Sequence, residues 1–129
     1  MGLRPTTEHK KLAVRSFLLD LLYPRRYFTD KMIQLRKTEE FDKWLHGLRD
    51  IRAFAQIARR INRMIQGNIG DCKFIGDKIY ELRVDYGPGY RLYFTQKGKQ
   101  FVLLLIGGDK SSQRRDIELA KTLAKEYGE

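Results

Sequence analysis

The fold is decided by the segment Tyr80-Glu-Leu-Arg-Val-Asp-Tyr-Gly-Pro-Gly-Tyr-Arg-Leu-Tyr-Phe94. Apolar and polar side chains alternate on both sides of a loop rich in glycine and proline, which is the pattern of a β-hairpin. With a loop from Asp85 to Gly89, Val84 pairs with Tyr90. A slip of one residue would exchange the two faces and move arginine into the core, so we expect the apolar pattern to fix this register.

Two arginines face each other on the polar side of this predicted hairpin. The register sets Arg83 opposite Arg91 and Glu81 opposite Tyr93, on a face that we expect to point away from the core. Like charges directly opposite each other on neighbouring strands are unfavourable. A bound anion such as phosphate would relieve the repulsion. A polar face of this kind can equally be a solvated surface, and the alternation alone leaves both interpretations open.

A third strand and a helix start follow the hairpin. The run from Phe101 to Ile106 is apolar at every position, which predicts a strand covered on both faces. The segment Gly107–Gln113 then leads into a final helix, and its two glycines are typical of a tight turn. Lys110 would therefore lie near the arginine pair, at a helix N-terminus that attracts anions. The candidate N-caps of this helix are Asp109, Ser111 and Ser112.

Composition limits the class of protein. The 129 residues are 42% apolar, enough for one domain with its own core. The single Cys72 excludes an internal disulfide and a four-cysteine metal site, which fits a reducing, cytoplasmic location. Lys and Arg number 26 against 16 Asp and Glu, for a net charge of +10. This excess favours partners that carry phosphate or acidic groups: nucleic acid, a ribosome or an acidic protein.

Residues 1–30 are predicted to be a helical extension of a main domain that spans residues 31–129. Apolar residues recur at helical spacing from Val14 to Leu22, and Pro24 ends the pattern. The run is short and contains Asp20, so we predict neither a transmembrane span nor any membrane partner. Met32 is an alternative natural start, which would make the extension an upstream addition.

The main domain is predicted to have the order β-α-α-β-β-β-α. A short strand at residues 32–36 precedes a helix capped by Thr38 and a second helix at about residues 50–66. We therefore expect an α+β fold, a small antiparallel sheet with helices packed on one face. The apolar stripe of the second helix faces the core, and its opposite face carries Arg52, Arg59, Arg60 and Arg63.

Several motifs in order resemble the RelE/ParE toxin superfamily, and within it the HigB-like "addiction module killer protein" branch. The resemblance covers about residues 32–123 and implies a RelE-like fold. It also implies a bacterial type II toxin that is neutralised by a cognate helix-turn-helix antitoxin, with a higher-order toxin–antitoxin complex possible. The activity implied is cleavage of mRNA on the ribosome without metal or cofactor. The motifs are Phe41-x-x-Trp-Leu45, Gly67-Asn-x-Gly-Asp71, Glu81-Leu-Arg83, Tyr86-Gly-Pro-Gly-Tyr-Arg91 and Gly107-Gly-Asp-Lys-Ser-x-Gln113.

The resemblance also implies functional residues. Arg91 matches the functional arginine of the family, while Arg83 and Lys110 fall on basic positions. We expect Arg91 and Lys110 to bind phosphate and transition-state charge, with Arg83 as a second clamp. Tyr93 or Glu81 is expected to transfer protons. Lys73 and Lys78 lie in the connector before the hairpin and add positive charge beside it, so they are predicted to bind RNA together with Gln113. Both histidines, His9 in the extension and His46 beside the apolar stripe of the first helix, are expected to be structural.

One departure from the family leaves a second function open. Some RelE-type enzymes have a catalytic tyrosine early in the last helix, where this chain has Arg115-Asp116-Ile117. Asp116 is a conceivable substitute. The alternative is a non-catalytic toxin that inhibits a protein target such as DNA gyrase, as ParE-like relatives do.

Overall fold

A five-stranded sheet carries the fold, with the strand order β1-β5-β4-β3-β2. The computed structural model describes residues 32–127, so the predicted extension at residues 1–30 and its helix lie outside the described residues. No helix within this range is long and apolar enough to cross a membrane. In chain order the elements are β1 (Gln34–Lys37), α1 (Glu39–His46), α2 (Ile51–Ile65), β2 (Cys72–Phe74), β3 (Ile79–Val84), β4 (Tyr90–Lys97), β5 (Phe101–Asp109), a 3-10 turn (Lys110–Ser112) and α3 (Gln113–Tyr127).

The α+β class is confirmed, but the sheet is mixed and the prediction of an antiparallel sheet is wrong at one edge. β1 runs parallel to β5, with Gln34 opposite Phe101 and Lys37 opposite Leu104. A parallel pair needs a long connection, and here two helices and three strands lie between the partners. At the other edge, β2 adds a short antiparallel strand that the sequence pattern did not predict.

The predicted hairpin register is confirmed. In the β3–β4 pair, Arg83 lies opposite Arg91, and Glu81 lies opposite Tyr93. The loop between the strands turns through two glycines with positive φ, Gly87 at 56° and Gly89 at 82°. Glycine adopts this conformation without the steric cost of a Cβ atom.

Helices cover both faces of the sheet, so the prediction that they pack on one face is wrong. Helix α2 packs against the face that includes Leu82, Leu92 and Phe94. Helix α3 packs against the opposite face, where Tyr93 and Leu105 lie. The expectation that the apolar run of β5 is covered on both sides is thereby confirmed. An apolar strand of this kind needs a layer on each face to bury its side chains.

The N-caps of α1 and α2 follow from the sequence pattern, but the burial of one arginine of α2 does not. Thr38 accepts a hydrogen bond from the Phe41 amide at 2.9 Å, as predicted, and Asp50 caps α2. Arg60 was expected on the exposed face of α2 but is buried. Its guanidinium lies so close to Gly70 that a Cβ there would be 2.3 Å from Nη2. The backbone of a glycine therefore provides the space for this side chain.

Candidate phosphate-binding site

A groove of about 720 Å³ opens at the end of the sheet, beside the loop between β3 and β4. Four of the predicted cationic residues line it: Lys73, Arg83, Arg91 and Lys110. They come from β2, β3, β4 and the 3-10 turn. Pairing of the strands brings together side chains that are far apart in the sequence. The groove therefore combines positive charge from four separate elements.

Arg91 forms part of the floor of this groove. The residue is only 8% exposed, and its Nε lies 3.5 Å from Oε2 of Glu81. Its Nη1 donates a hydrogen bond to the Gly89 carbonyl at 3.4 Å. The expectation that both arginines lie on a face directed away from the core holds only for Arg83, whose side chain is 65% exposed. The reason is α3, which makes part of the polar hairpin face an interior surface.

Glu81 is buried under the groove and contacts both arginines. The residue is 2% exposed, and its Oε2 accepts hydrogen bonds from the Tyr93 hydroxyl at 3.0 Å and from Gln113 Nε2 at 2.8 Å. Its Oε1 lies 3.9 Å from Nε of Arg83. A buried carboxylate requires both a cation and hydrogen-bond donors to offset the loss of water. Glu81 has both, and its contact with the Nε of Arg91 is an ion pair without a hydrogen bond.

Three predicted site residues are not arranged to contact a ligand in the groove. Tyr93 is fully buried, and its burial, followed by the nearby Glu81 carboxylate, raises the pKa of its hydroxyl. Gln113 uses its amide to bind Glu81 instead of facing the groove. Lys78 lies in a different cleft, with Lys97, Lys121 and Lys125. The alternation placed Tyr93 on a polar strand face directed away from the core because it contains no information on where α3 packs.

The paired glycines of β5 allow close packing on both faces of the sheet. A Cβ on Gly107 would lie 2.2 Å from the Trp44 ring, and one on Gly108 would lie 1.8 Å from Oδ2 of Asp116. Both glycines are within the strand, so the expectation that they serve a tight turn is wrong. Asp116 is buried and accepts a hydrogen bond from the Ser112 hydroxyl. The start of α3 is therefore fixed directly against the sheet.

Lys110 is positioned by the cap that precedes it. Of the three predicted caps, Asp109 is the one observed, and it accepts a hydrogen bond from the Ser111 amide at 2.8 Å. The hydrogen bond from the Ser111 side chain lowers the pKa of the Asp109 carboxyl. A Cβ built on Gly89 would lie 3.9 Å from Cβ of Lys110 and 4.0 Å from Nη1 of Arg91. The base of the Lys110 side chain and the Arg91 guanidinium thus both lie beside one glycine.

Comparison with known proteins shows the family of this chain. Residues 39–125 match the family described as Phage derived protein Gp49-like (DUF891). The chain belongs to the Gp49-like family. Gp49-like proteins are a toxin-like family of the addiction-module type, related to RelE. An uncharacterized protein of Haemophilus influenzae is 50% identical over 96 residues, which are 74% of this chain and 97% of the relative.

The Gp49-like match includes the whole groove, since all four cations lie between residues 39 and 125. Two further lining residues, Asp71 and Cys72, were not identified as site residues from the sequence. Cys72 begins β2 and Asp71 immediately precedes it, and a strand of only three residues leaves too short an alternation to recognise. Within residues 32–127, no group of three or more His, Cys, Asp and Glu side chains is arranged to hold a metal ion.

Proposed function

We propose that this Gp49-like protein is the toxin of a type II toxin–antitoxin module, of the HigB-like branch, and that it cleaves translated mRNA without a metal ion. One observation carries the proposal. Arg91 is buried and ion-paired with Glu81 at the floor of a groove that also contains Lys73, Arg83 and Lys110. Positive groups held in this way are suited to an RNA phosphate.

The groove cations match the charge that develops during RNA cleavage. When the 2′-hydroxyl attacks phosphorus, the additional negative charge spreads over the oxygens of the phosphorane. We assign Arg91 and Lys110 to these oxygens, with Arg83 as the second clamp. Arginine offers two parallel N–H donors to a phosphate, whereas lysine acts as a point charge. Donors that are fixed before the reaction stabilise a transition state without reorganisation at the moment of reaction.

Glu81 and Tyr93 support Arg91 in this proposal. The sequence predicts proton transfer by Tyr93 or Glu81, but Tyr93 is fully buried and directs its hydroxyl at Glu81. We therefore assign Tyr93 and Gln113 to hold Glu81, and Glu81 to hold Arg91. Of these three residues only Glu81 lines the groove. It is accordingly the one proton-transfer candidate that is in reach of a bound RNA.

The proposed partners are the ribosome with its mRNA, and a cognate helix-turn-helix antitoxin in a toxin–antitoxin complex that can assemble further. We propose that the antitoxin covers the groove with acidic side chains. The support is the local charge, since four cations outnumber the three carboxylates that line the groove, Asp71, Glu81 and Asp85. Complementary charge also accelerates association, which suits an inhibitor that must act quickly. The cytoplasm is the location that fits these partners.

We expect Arg83→Ala and Lys110→Ala each to slow mRNA cleavage on the order of tenfold to a hundredfold, by the loss of one stabilising donor. Both residues are exposed, so stability should change by less than about 0.5 kcal/mol. The measurement is growth arrest on expression without antitoxin, together with mRNA integrity and DNA supercoiling in the same cells.

Arg59→Ala is the matched control for this experiment. Arg59 is an exposed arginine of α2, on the opposite side of the sheet from the groove, and its loss should leave toxicity unchanged. The ribonuclease proposal would be contradicted if growth arrest occurred with intact mRNA and altered DNA supercoiling, and if neither groove substitution reduced it. This result would favour a ParE-like inhibitor of gyrase instead.

A further inference from the structure

A second basic cleft, of about 500 Å³, lies on the same face of the sheet as the groove. Its cationic lining residues are Lys78, Lys97, Lys121 and Lys125, with Asp77 beside them. Lys121 lies 3.5 Å from Asp77 and 3.6 Å from Glu118, so two carboxylates offset part of the charge. The cleft retains a positive excess after these pairs are counted.

The turn that presents Lys78 is strained. Three successive residues have positive φ: Gly76 at 94°, Asp77 at 52° and Lys78 at 65°. Glycine adopts this conformation readily and aspartate tolerates it, whereas lysine seldom does. The turn is closed by the Ile79 amide, which donates to the Gly76 carbonyl at 2.9 Å. The Thr95 hydroxyl donates to the Lys78 carbonyl at 2.8 Å. Strain that the surroundings maintain in this way is characteristic of functional positions.

The two basic regions are connected along one edge of the sheet. Lys78 immediately precedes β3 and Arg83 lies near its end, about 17 Å apart at about 3.4 Å per residue. Between them, Lys73 of β2 lies opposite Glu81, so it is on the groove face of the sheet, and it is exposed. The separation corresponds to about five nucleotides of stacked single strand, at about 3.4 Å each. A chain of phosphates can therefore contact both regions at once.

We propose that this second cleft binds the phosphate backbone of the same RNA, several nucleotides from the phosphate that the groove holds. The proposal rests on the proposed function, because it assumes that the groove binds RNA. The spacing along one edge favours a linear polyanion over a compact acidic protein. Single-stranded RNA supplies regularly spaced phosphates, and lysines bind them without reading base sequence.

The test uses Lys78→Asn with Lys121→Gln and Lys125→Gln in the full chain. The probes are a trinucleotide and a single-stranded RNA of about twelve nucleotides, which spans both sites at about 3.4 Å per nucleotide. Both probes are 2′-O-methylated so that they cannot be cleaved. We expect the longer RNA to bind on the order of tenfold more weakly. The slope of log K against log salt concentration should become shallower by about 0.7 for each lost phosphate contact. Binding of the trinucleotide should stay unchanged.

A charge-matched control distinguishes RNA binding at the cleft from an effect of the net charge of the protein. Arg52→Gln, Arg59→Gln and Arg63→Gln also remove three charges, from exposed positions of α2 on the other face of the sheet. This variant should bind the longer RNA like the wild type. Equal losses in the two variants would overturn the proposal. So would normal RNA binding by the cleft variant together with weaker antitoxin binding, because the cleft would then be a protein-binding surface.

The single variant Lys78→Asn gives an independent readout. Asparagine is better suited than lysine to positive φ, so this protein should melt at the same or a higher temperature while it binds the longer RNA more weakly. A lower melting temperature would contradict the strain argument. If wild-type protein binds neither RNA, the proposed function itself fails. If RNA binding depends on Arg83 but not on the cleft lysines, only this inference fails.

Discussion

Replacing Arg91 with Ala should lower the free energy of unfolding by about 3 kcal/mol, because it removes the nearer and buried cation of the Glu81 carboxylate. The Tyr93 and Gln113 donors and the exposed Arg83 at 3.9 Å would remain, but hydrogen bonds and a solvent-screened cation do not fully offset the cost of burying a charge. Urea unfolding at neutral pH measures the change. The midpoint should decrease while the slope with denaturant stays constant, as expected for a loss of stability without a change in compactness.

Two variants show whether the effect belongs to the buried pair. Arg83→Ala removes the facing, exposed arginine and should change stability by less than about 0.5 kcal/mol. Glu81→Gln combined with Arg91→Ala removes both charges and should recover a large part of the lost stability, since no unpaired charge is then buried. If Arg91→Ala is as stable as Arg83→Ala, the ion pair does not organise the groove floor.

Gly108→Ala should also cost about 3 kcal/mol, because the added methyl group has no space. Its Cβ would lie 1.8 Å from Oδ2 of Asp116 and 2.7 Å from Oγ of Ser112. Asp116 is buried, so the start of α3 must move for the methyl group to fit. This movement should also displace Gln113 from Glu81 and slow RNA cleavage. Thermal unfolding and a cleavage assay on the same preparation measure both effects.

Gly98→Ala is the control for backbone strain without crowding. Gly98 has φ +62° and nothing within 4 Å of a built Cβ, so alanine there should cost about 1 kcal/mol from conformation alone. A Gly108→Ala protein no less stable than Gly98→Ala would show that Asp116 moves easily. In that case the glycine pair would not be what fixes α3 against the sheet.

The hairpin register could be predicted because only one register keeps the alternating apolar residues together. Arg83 opposite Arg91 and Glu81 opposite Tyr93 both follow from that alternation. The double-sided packing of β5 also follows, since an unbroken apolar run leaves no polar face for solvent. Family motifs added three of the groove cations, Arg83, Arg91 and Lys110. In each case the relevant information lies within a few neighbouring residues.

The burial of Arg91 and Glu81 could not be predicted in the same way. A polar strand face looks identical in sequence whether water or a helix covers it, and the covering helix α3 begins more than twenty residues after Arg91. The role of Gly108 could not be predicted for the same reason, since the side chain that occupies the space beside it, Asp116, belongs to α3. The parallel edge and the short β2 depend on pairing between distant segments. Local patterns contain little information on such pairing.

In the proposed function, Arg91 at the groove floor stabilises the transition state of RNA cleavage. Arg91→Lys is the most direct variant, because it retains a cation beside Glu81 but removes the planar pair of donors. The measurement is the rate of mRNA cleavage on translating ribosomes, followed by mapping of the new 5′ ends, with protein shown to be folded by thermal unfolding. We predict cleavage by the wild type and a rate on the order of a hundredfold lower for Arg91→Lys. Folded Arg91→Lys protein that cleaves at the wild-type rate, or wild-type protein that leaves mRNA intact, would contradict the proposed role of Arg91.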